Sequence, residues 1–372
     1  MIHLTTLLAE AKLKLNIPSD IKKIHKAFKK SGKKLYVVGG AVRDAILGKS
    51  PKDYDLATDA KPDEVMKIAK DNGLHAVDVG GKSFGVVEVG GHEVATFRKD
   101  IGKGRRPSAV DYTDIEGDVK RRDLTINALF YDIDKKNIVD LVGGIADLKK
   151  KRIRTVGKPE ERFDEDPLRK LRAVRFAGNV GGKMSKDTWK ALQKNANISK
   201  VSPERIRDEF IKGIKKAQVA PKYLKMLKKL GMFKQIFPGL NVDMKFANTN
   251  DYIIQIANLL KKNGAQKVKN KLNSLKYSNK ETLDVSVLIL LRKHQSWVIN
   301  NLPEFKRKLA NNSNLSDSQV KIWSTISSNR NVWKLWKWEL SVSPKDAIDK
   351  GLKGKDIGDY VKNKEKELFS SS

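Results

Sequence analysis

The spacing of hydrophobic residues divides the chain into regions of different character. Between residues 3 and 30 apolar side chains recur at helical spacing, and the second half of this stretch has Ile21, Ile24 and Phe28 on one face. This pattern predicts one or two amphipathic helices. We therefore expect residues 1–33 to form a helical N-terminal extension.

Residues 34–155 follow a different pattern, in which short β-branched runs alternate with glycines. The segments KLYVVGG and DYDLAT are typical of short strands, and FGVVEVGGHEVATFR predicts a hairpin that turns at Gly90 and Gly91. The segments TINALFYDI and NIVDLVGG predict a second hairpin-like pair. We expect this region to contain both helices and strands.

Strand signals nearly vanish after Glu161. The segments EDPLRKLRAVRFAG, SPERIRDEFIKGIKKA and PKYLKMLKKLGMF have helical spacing, with Pro or Ser near their starts. The chain is therefore predicted to be α+β, with a mixed first part followed by all-α regions at 156–240 and 241–372.

The charge balance indicates a polyanionic partner. The 372 residues include 76 Lys and Arg against 44 Asp and Glu, which gives a formal net charge of +32. Nucleic acid is the first candidate, because cations that neutralise phosphates release counterions. An anionic membrane surface is the second, but no apolar run approaches the roughly 20 residues that span a bilayer, so we expect no membrane attachment.

The chain contains no cysteine, which excludes disulfides, thiolate zinc sites and cysteine nucleophiles. Its five histidines have no metal-ligand spacing. The first residues lack the layout of a signal peptide, so we expect a cytoplasmic protein. Nothing in the sequence indicates an obligate protein partner.

Two carboxylates stand out in this basic chain. In KDYDLAT, Asp53 and Asp55 would point to the same side of a strand while Tyr54 points to the other. Mg²⁺ suits such a pair, since it takes one or two protein carboxylates and fills its shell with water and phosphate oxygens. Taken alone, the three residues favour a plain polar turn.

The segment before the carboxylates favours a metal site over a plain polar turn. VVGGAVRDAIL predicts a strand, two glycines and a helix, a geometry that lets Gly39, Gly40 and Arg43 approach a phosphate. The alternative is a tight turn with surface charges. Together, a phosphate site and a metal site predict a site for a nucleoside triphosphate and hence phosphoryl or nucleotidyl transfer. Glu93 or Glu88 could supply a further carboxylate, and the alternative is that both are solvated charges of the hairpin.

Five motifs in order carry a resemblance to a known family: VGGAVRDAILGKSPKDYDLAT, GRRPSAV, RRDLTINALFYD, DLVGGIADLKKKRIRTVG and ERFDEDPLRKLRAVRFA. With these motifs the chain resembles the bacterial-type class II tRNA nucleotidyltransferase and poly(A) polymerase family over residues 35–215. The resemblance implies a polymerase-β-like nucleotidyltransferase head at 34–155. It also implies a helical neck with a nucleotide-selecting helix at 156–240, and an RNA-binding body and tail at 241–372.

The resemblance also implies roles for individual residues. Two magnesium ions would be held by Asp53 and Asp55, with Glu93 as a third catalytic carboxylate. RRDLTIN would contact the ribose and phosphates, although it also fits a basic bulge before a buried strand. The implied nucleotide-binding residues are Gly39, Gly40, Arg43, Arg122, Asp123, Asp166, Arg169, Arg172 and Arg175.

In EDPLRKLRAVRF, charged residues recur every three positions from Asp166 to Arg175, along one helical stripe. Without the head this would be a salt-bridged solvated face. The resemblance implies instead that Asp166 and Arg169 read the base edge. Cytosine and adenine both present an amino donor beside a ring-nitrogen acceptor, which an aspartate and an arginine complement.

The implied activity is template-independent addition of C and A to tRNA 3′ ends from CTP and ATP. A poly(A) polymerase, a CC-adding or A-adding enzyme, and a non-catalytic basic RNA-binding protein are the alternatives. Only Ile101, Gly102 and Lys103 separate FRKD from GRRP, a short loop that leaves the final A step open. In the C-terminal region, Trp333 and Trp336 are expected in the core rather than stacking on RNA bases.

Overall fold

The computed structural model describes residues 11–12, 15–79, 85–102, 109–329 and 331–372. The chain divides into two compact units, residues 1–200 and 201–372. This division falls inside the predicted neck region, 156–240.

The first unit is built around a mixed β-sheet. The strands of the unit are β1 Ala11–Lys12, β2 Leu35–Val38, β3 Asp55–Thr58, β4 Ala76–Asp78, β5 Val86–Val89, β6 His92–Thr96, β7 Arg98–Ile101, β8 Ala109–Tyr112, β9 Phe130–Asp132, β10 Asn137–Val139, β11 Arg152–Ile153 and β12 Lys183–Met184. Within the described residues the main sheet has eight strands in the order β1-β10-β9-β2-β3-β6-β5-β4. All neighbours are antiparallel except β3 and β6, which run parallel. Strands β7 and β8 pair separately, as do β11 and β12.

The helices of the first unit cover both faces of this sheet. They are α1 Ser19–Lys30, α2 Gly40–Ile46, α3 Pro62–Asp71, α4 Ile115–Arg121, α5 Gly144–Lys149, α6 Pro159–Glu165, α7 Leu168–Asn179 and α8 Lys186–Lys194, with a 3-10 turn at Thr125–Asn127. All four residues of β2 are buried. Leu35 and Val37 pack in one hydrophobic cluster, and Tyr36 and Val38 pack in another on the opposite face.

Helix α1 is part of the head core. Its apolar residues Ile21, Ile24 and Phe28 belong to the same hydrophobic cluster as Leu35 of β2. The predicted helix between residues 19 and 30 is therefore present, but it does not stand apart from the head. The helical prediction is wrong for Ala11–Lys12, which pair with β10 as an edge strand; residues 1–10 and 13–14 lie outside the described residues.

The described part of the second unit contains helices and no strand. Its helices are α9 Pro203–Lys216, α10 Ala220–Lys229, α11 Phe233–Ile236, α12 Tyr252–Leu260, α13 Ala265–Ser274, α14 Asn279–Lys293, α15 Gln295–Asn300, α16 Leu302–Glu304, α17 Asp317–Ser327, α18 Asn331–Lys337, α19 Pro344–Ile348 and α20 Lys355–Ser371, with a π-helical turn at Phe305–Ala310. The predicted α+β class, a mixed sheet followed by helices, is confirmed.

The tryptophans of α18 are half-buried, so the prediction that Trp333 and Trp336 belong to the core is wrong. The core side of this helix is formed by Val332 and Leu335. The indole of Trp336 donates to Asp317 Oδ1 at 2.8 Å. Trp323 of α17 is the fully buried indole, and it donates to the Leu288 carbonyl oxygen at 2.7 Å.

Candidate active site

A glycine turn joins β2 to α2 and forms one wall of the site. Gly39 has a φ of +66°, in the left-handed region that favours glycine. A Cβ atom at this position would lie 3.7 Å from Arg122 Nη1 and 4.0 Å from Asp55 Oδ2. The glycine backbone, an arginine of the RRD motif and the second aspartate of the pair therefore converge here.

The two aspartates lie where β3 begins. Asp55 is the first residue of the strand, opposite Val38 of β2, whereas Asp53 precedes the strand. The strand alternation expected from the sequence therefore does not itself orient Asp53. Both residues are exposed.

The electrostatics of Asp55 fit a cation site. Desolvation of the Asp55 carboxylate by the surrounding protein raises its pKa; Arg122 opposes this shift, and the neighbouring charge of Asp53 adds to it. A carboxylate destabilised by a second carboxylate is relieved when a cation binds between them. The oxygen donors of Asp53 and Asp55 are also the ligand type that Mg²⁺ takes.

Glu93 lies beside Asp55 in the sheet register. Strands β3 and β6 run parallel, and Leu56 of β3 pairs with Val94 of β6. Asp55 precedes Leu56 and Glu93 precedes Val94, so Asp55 and Glu93 lie at neighbouring positions on the two strands. Glu93 is exposed and faces Glu88 across β5 and β6. Among the residues that the structure describes, no three His, Cys, Asp or Glu side chains are grouped to hold a metal ion. The role of Glu93 as a third carboxylate stays a prediction.

Arg122 is held in place by a buried carboxylate. Its Nε and Nη2 donate to Asp118 Oδ2 at 3.1 and 2.9 Å, and its Nη1 donates to the Asn127 carbonyl oxygen at 3.2 Å. Its guanidinium lies over the Phe130 ring, 4.5 Å from the centroid. Burial would raise the pKa of Asp118, but Arg122 and Arg121 outweigh it and lower the pKa. Arg122 is thus oriented in advance of any ligand.

Asn127 links residues from three parts of the first unit. Its Oδ1 accepts a hydrogen bond from Arg43 Nη1 of α2 at 2.7 Å, and its Nδ2 donates to Asp123 Oδ1 at 3.2 Å. Asp123 Oδ2 in turn accepts from Arg172 Nε of α7 at 2.7 Å. Asn127 was not among the predicted site residues, although its place in RRDLTIN was a signal that could have found it.

Asp123 is buried and ionised. It is 9% exposed, and burial alone would raise its pKa. The ion pair with Arg172 and the hydrogen bonds from Asn127 and Leu124 outweigh that penalty and lower its pKa to about 2. Asp123 is therefore tied to helix α7 as well as to the head.

Asp166 lies between α6 and α7, and Arg169 lies in the first turn of α7. Asp166 Oδ1 accepts from the Leu168 backbone N–H at 3.1 Å. Arg169 Nη1 donates to Glu165 Oε2 at 2.5 Å, and its Nη2 donates to the Arg121 carbonyl oxygen at 2.9 Å. The pairing with Glu165 was not predicted, although its spacing of four residues is readable from the sequence.

Arg175 is only 6% exposed, so it does not belong to a solvated helix face, which was the alternative reading of this stripe. Its guanidinium lies 4.1 Å from the centroid of the Phe176 ring. The apolar residues Leu168, Leu171 and Val174 of α7 are buried. The structure thus brings Arg172 into contact with the head and packs Arg175 against an aromatic ring.

The GRRPSAV motif lies mostly outside the described residues, which omit 103–108. Of the short loop before it, Ile101 and Gly102 are described and exposed, and Lys103 is not described. None of the helices in the described part of the chain is long and apolar enough to cross a membrane.

Two family models match the chain. The Poly A polymerase head domain matches residues 35–154, and the probable RNA and SrmB-binding site of polymerase A matches residues 182–244. The first covers the main sheet except β1, and it includes the carboxylates, the glycine turn and the RRD motif. The second begins after α7.

Curated relatives match about half of the chain. A CCA-adding enzyme of Bacillus subtilis is 46% identical over 190 residues, which are 49% of this chain and 46% of the relative. A CCA-adding enzyme of Ligilactobacillus salivarius is 42% identical over 207 residues, 53% of this chain and 50% of the relative. Poly(A) polymerase I of Haemophilus influenzae is 33% identical over 229 residues, 57% of this chain and 50% of the relative. The chain spans about half the length of the curated relatives it matches.

A solved structure extends the likeness over most of the chain. The Bacillus stearothermophilus CCA-adding enzyme in complex with CTP has a TM-score of 0.68 at 26% identity, covering 95% of this chain and 93% of that one. The five motifs, the head fold and these relatives agree: residues 35–154 match a Poly A polymerase head domain, and the chain is similar to CCA-adding enzymes and to a poly(A) polymerase.

Proposed function

We propose that the protein adds C and A residues to the 3′ ends of tRNA, using CTP and ATP and no nucleic-acid template. The observation that carries this proposal is the convergence of Gly39, Asp55 and Arg122 at one point of the head. The Asp123–Arg172 ion pair ties the same region to the nucleotide-selecting helix. The CCA-adding relatives, one of them solved with CTP, support the choice of product.

The reaction would be attack of the RNA 3′-hydroxyl on the α-phosphate of the bound nucleotide, with pyrophosphate as the leaving group. Asp53 and Asp55 would hold two magnesium ions, with Glu93 as an additional carboxylate; the ions would lower the pKa of the attacking hydroxyl and neutralise the triphosphate. Arg43 and Arg122 would donate N–H groups to phosphate oxygens. The backbone at Gly39 and Gly40 would allow the phosphates to approach closely.

Selection of the nucleotide would take place at the start of α7. Asp166 would accept from the exocyclic amino group that cytosine and adenine share, and Arg169 would donate to the adjacent ring nitrogen. Glu165 and the Arg121 carbonyl oxygen would hold the Arg169 guanidinium in the required orientation. Uracil and guanine would leave these groups unpaired, which is costly in a site built for hydrogen bonding.

The RNA would be bound chiefly through its phosphates. The net charge of +32 provides a sequence-independent attraction, and lysines are abundant on the helices of the second unit. A tRNA substrate would place the activity in the cytoplasm. No protein partner is needed for the chemistry proposed.

Poly(A) addition is the second candidate, favoured by the 33% identity to Poly(A) polymerase I of Haemophilus influenzae. The catalytic residues proposed above would serve either product. The two candidates differ in the RNA accepted and in the number of nucleotides added.

Asp53→Ala tests the catalytic assignment. We expect this variant to lose nucleotide addition while retaining RNA affinity, because Asp53 is one small exposed side chain at the proposed metal site. Asp71→Ala, at the exposed end of α3, is the matched control and is expected to keep both properties. Unchanged turnover by Asp53→Ala would contradict the metal site, and a wild-type protein that binds RNA without extending it would favour a non-catalytic role.

A further inference from the structure

One aromatic ring on the nucleotide-selecting helix is shared by three arginines. The Phe176 ring centroid lies 4.1 Å from Arg175 Cζ, 5.1 Å from Arg43 Cζ and 5.6 Å from Arg172 Cζ. These distances fall within the range of cation–π interactions. Arg172 and Arg175 belong to α7, but Arg43 comes from α2, next to the glycine turn. The ring therefore connects two elements that bear on opposite ends of a nucleotide.

A second connection between the same elements runs through Asn127. Arg43 Nη1 donates to Asn127 Oδ1, Asn127 Nδ2 donates to Asp123 Oδ1, and Arg172 Nε donates to Asp123 Oδ2. Since Arg172 and Arg43 also lie against Phe176, the contacts form a closed circuit of five residues. Asn127 and Phe176 are 8% and 5% exposed, so neither offers its side chain freely to solvent.

A triphosphate site needs several arginines close together, and the circuit holds them in place. Guanidinium groups collected for a triphosphate repel one another, and arginine side chains are long and flexible. Carboxylates already pair with two of them, Asp44 with Arg43 at 2.8 Å and Asp123 with Arg172 at 2.7 Å. The face of a ring attracts each cation without adding a negative charge that would compete with phosphate. The amide of Asn127 likewise accepts a hydrogen bond from Arg43 while remaining neutral. Both residues can orient arginines without weakening them as anion ligands.

We propose that Phe176 and Asn127 are positioning residues that fix the spacing between Arg43 at the phosphates and helix α7 at the base. Neither residue is required to touch the substrate. Their effect is to hold the phosphate-binding side and the base-binding side of the site at a fixed distance before the nucleotide binds, so that the site is preorganised. The inference rests on the proposed function, since it takes the nucleotide as the shared ligand of α2 and α7.

Three substitutions test the role of the ring. Phe176→Leu keeps an apolar side chain but removes the π face, and Phe176→Tyr keeps the face. We expect at least a tenfold rise in KM for CTP and ATP with Phe176→Leu, a smaller change in kcat, and near wild-type values with Phe176→Tyr. Phe163→Leu, at another buried phenylalanine in α6, is the control for lost packing and is expected to lower stability without raising KM.

Asn127→Ala tests the other half of the circuit from a different element. It should raise KM for both nucleotides and increase the incorporation of UTP relative to CTP, because α7 is no longer held to Arg43. The KM for RNA should stay the same in all variants. Thermal unfolding of each variant separates these effects from loss of the fold.

The outcomes distinguish this inference from the proposed function. Equal KM values for wild type and Phe176→Leu, or equal losses in Phe176→Leu and Phe176→Tyr, would overturn the positioning role. If the wild type adds no nucleotide, the proposed function fails instead. Binding of CTP with Mg²⁺, measured by equilibrium dialysis without RNA, then still tests the circuit: weaker binding by Phe176→Leu than by Phe176→Tyr supports it, and equal binding contradicts it.

Discussion

Replacing Asp123 by asparagine should uncouple the head from helix α7. The substitution keeps the size and shape of the side chain but removes the negative charge that faces Arg172 Nε at 2.7 Å. Asp123 lies on the head side of this contact and Arg172 on the helix side. The variant therefore reports how much the ion pair contributes to the fold.

The magnitude follows from the lowered pKa. The folded protein holds the pKa of Asp123 at about 2, against a usual value of 3.8. At about 1.4 kcal/mol per unit, this shift corresponds to roughly 2 kcal/mol of stability in favour of the ionised form. Because the folded pKa is the lower one, the contribution is fully present above about pH 4 and is lost as the pH falls through 3.8 toward 2.

Urea unfolding at about pH 7 measures the effect directly. We expect Asp123→Asn to lower the free energy of unfolding of the transition that reports the first unit by about 2 kcal/mol, and the difference from wild type to shrink below about pH 4. Asp71→Asn, at an exposed position, should change it by less than about 0.5 kcal/mol. Equal stability of Asp123→Asn and wild type at neutral pH would refute the argument that the pair outweighs its burial.

Further predictions concern the site and its supports. The raised pKa of Asp55 means that its carboxylate takes up a proton at a higher pH than an ordinary aspartate does. As the pH is lowered, Mg²⁺-dependent nucleotide binding should therefore begin to weaken above the usual pKa of an aspartate. Mg²⁺ titrations at several pH values measure this, and they would show no such shift if Asp55 is not a ligand. Glu165→Gln should release Arg169 and increase UTP incorporation about tenfold. Little stability should be lost, since this ion pair is partly exposed. Single-nucleotide incorporation assays measure the ratio of UTP to CTP incorporation, and an unchanged ratio would argue against Arg169 as a base reader. Asp147→Asn should cost about 1–3 kcal/mol in thermal or urea unfolding, because the buried carboxylate accepts from two arginines and from Thr125; a neutral effect would show that these hydrogen bonds do not stabilise the head.

Local patterns in the sequence predicted the local structure well. The strand, glycine and helix of VVGGAVRDAIL appear as β2, Gly39 and α2, and the hairpin at Gly90 and Gly91 appears as β5 and β6. These predictions succeed because a glycine with positive φ and alternating apolar residues act within a few residues of each other. The two-residue edge strand β1 has no such periodicity, so its pairing with β10 was missed.

The contacts that tie the site together could not be predicted from spacing. Arg43 and Asn127 are 84 residues apart, and Asp123 and Arg172 are 49 apart. Their meeting depends on how β2, the 3-10 turn and α7 pack, which no local pattern records. The motif resemblance named most of the charged residues, but it gave no role to Phe176. Arg172 and Arg175 lie near this ring on the same helix, whereas its contact with Arg43 depends on the tertiary arrangement.

The most direct test of the account is a 3′-end extension assay resolved at single-nucleotide length. Pure protein and Mg²⁺ are incubated with a tRNA that ends before CCA and, separately, with a generic RNA, in the presence of CTP, ATP or both. We predict three additions, confined to the tRNA and requiring both nucleotides. Long A tracts on either RNA, or no extension under any condition, would contradict the proposed function.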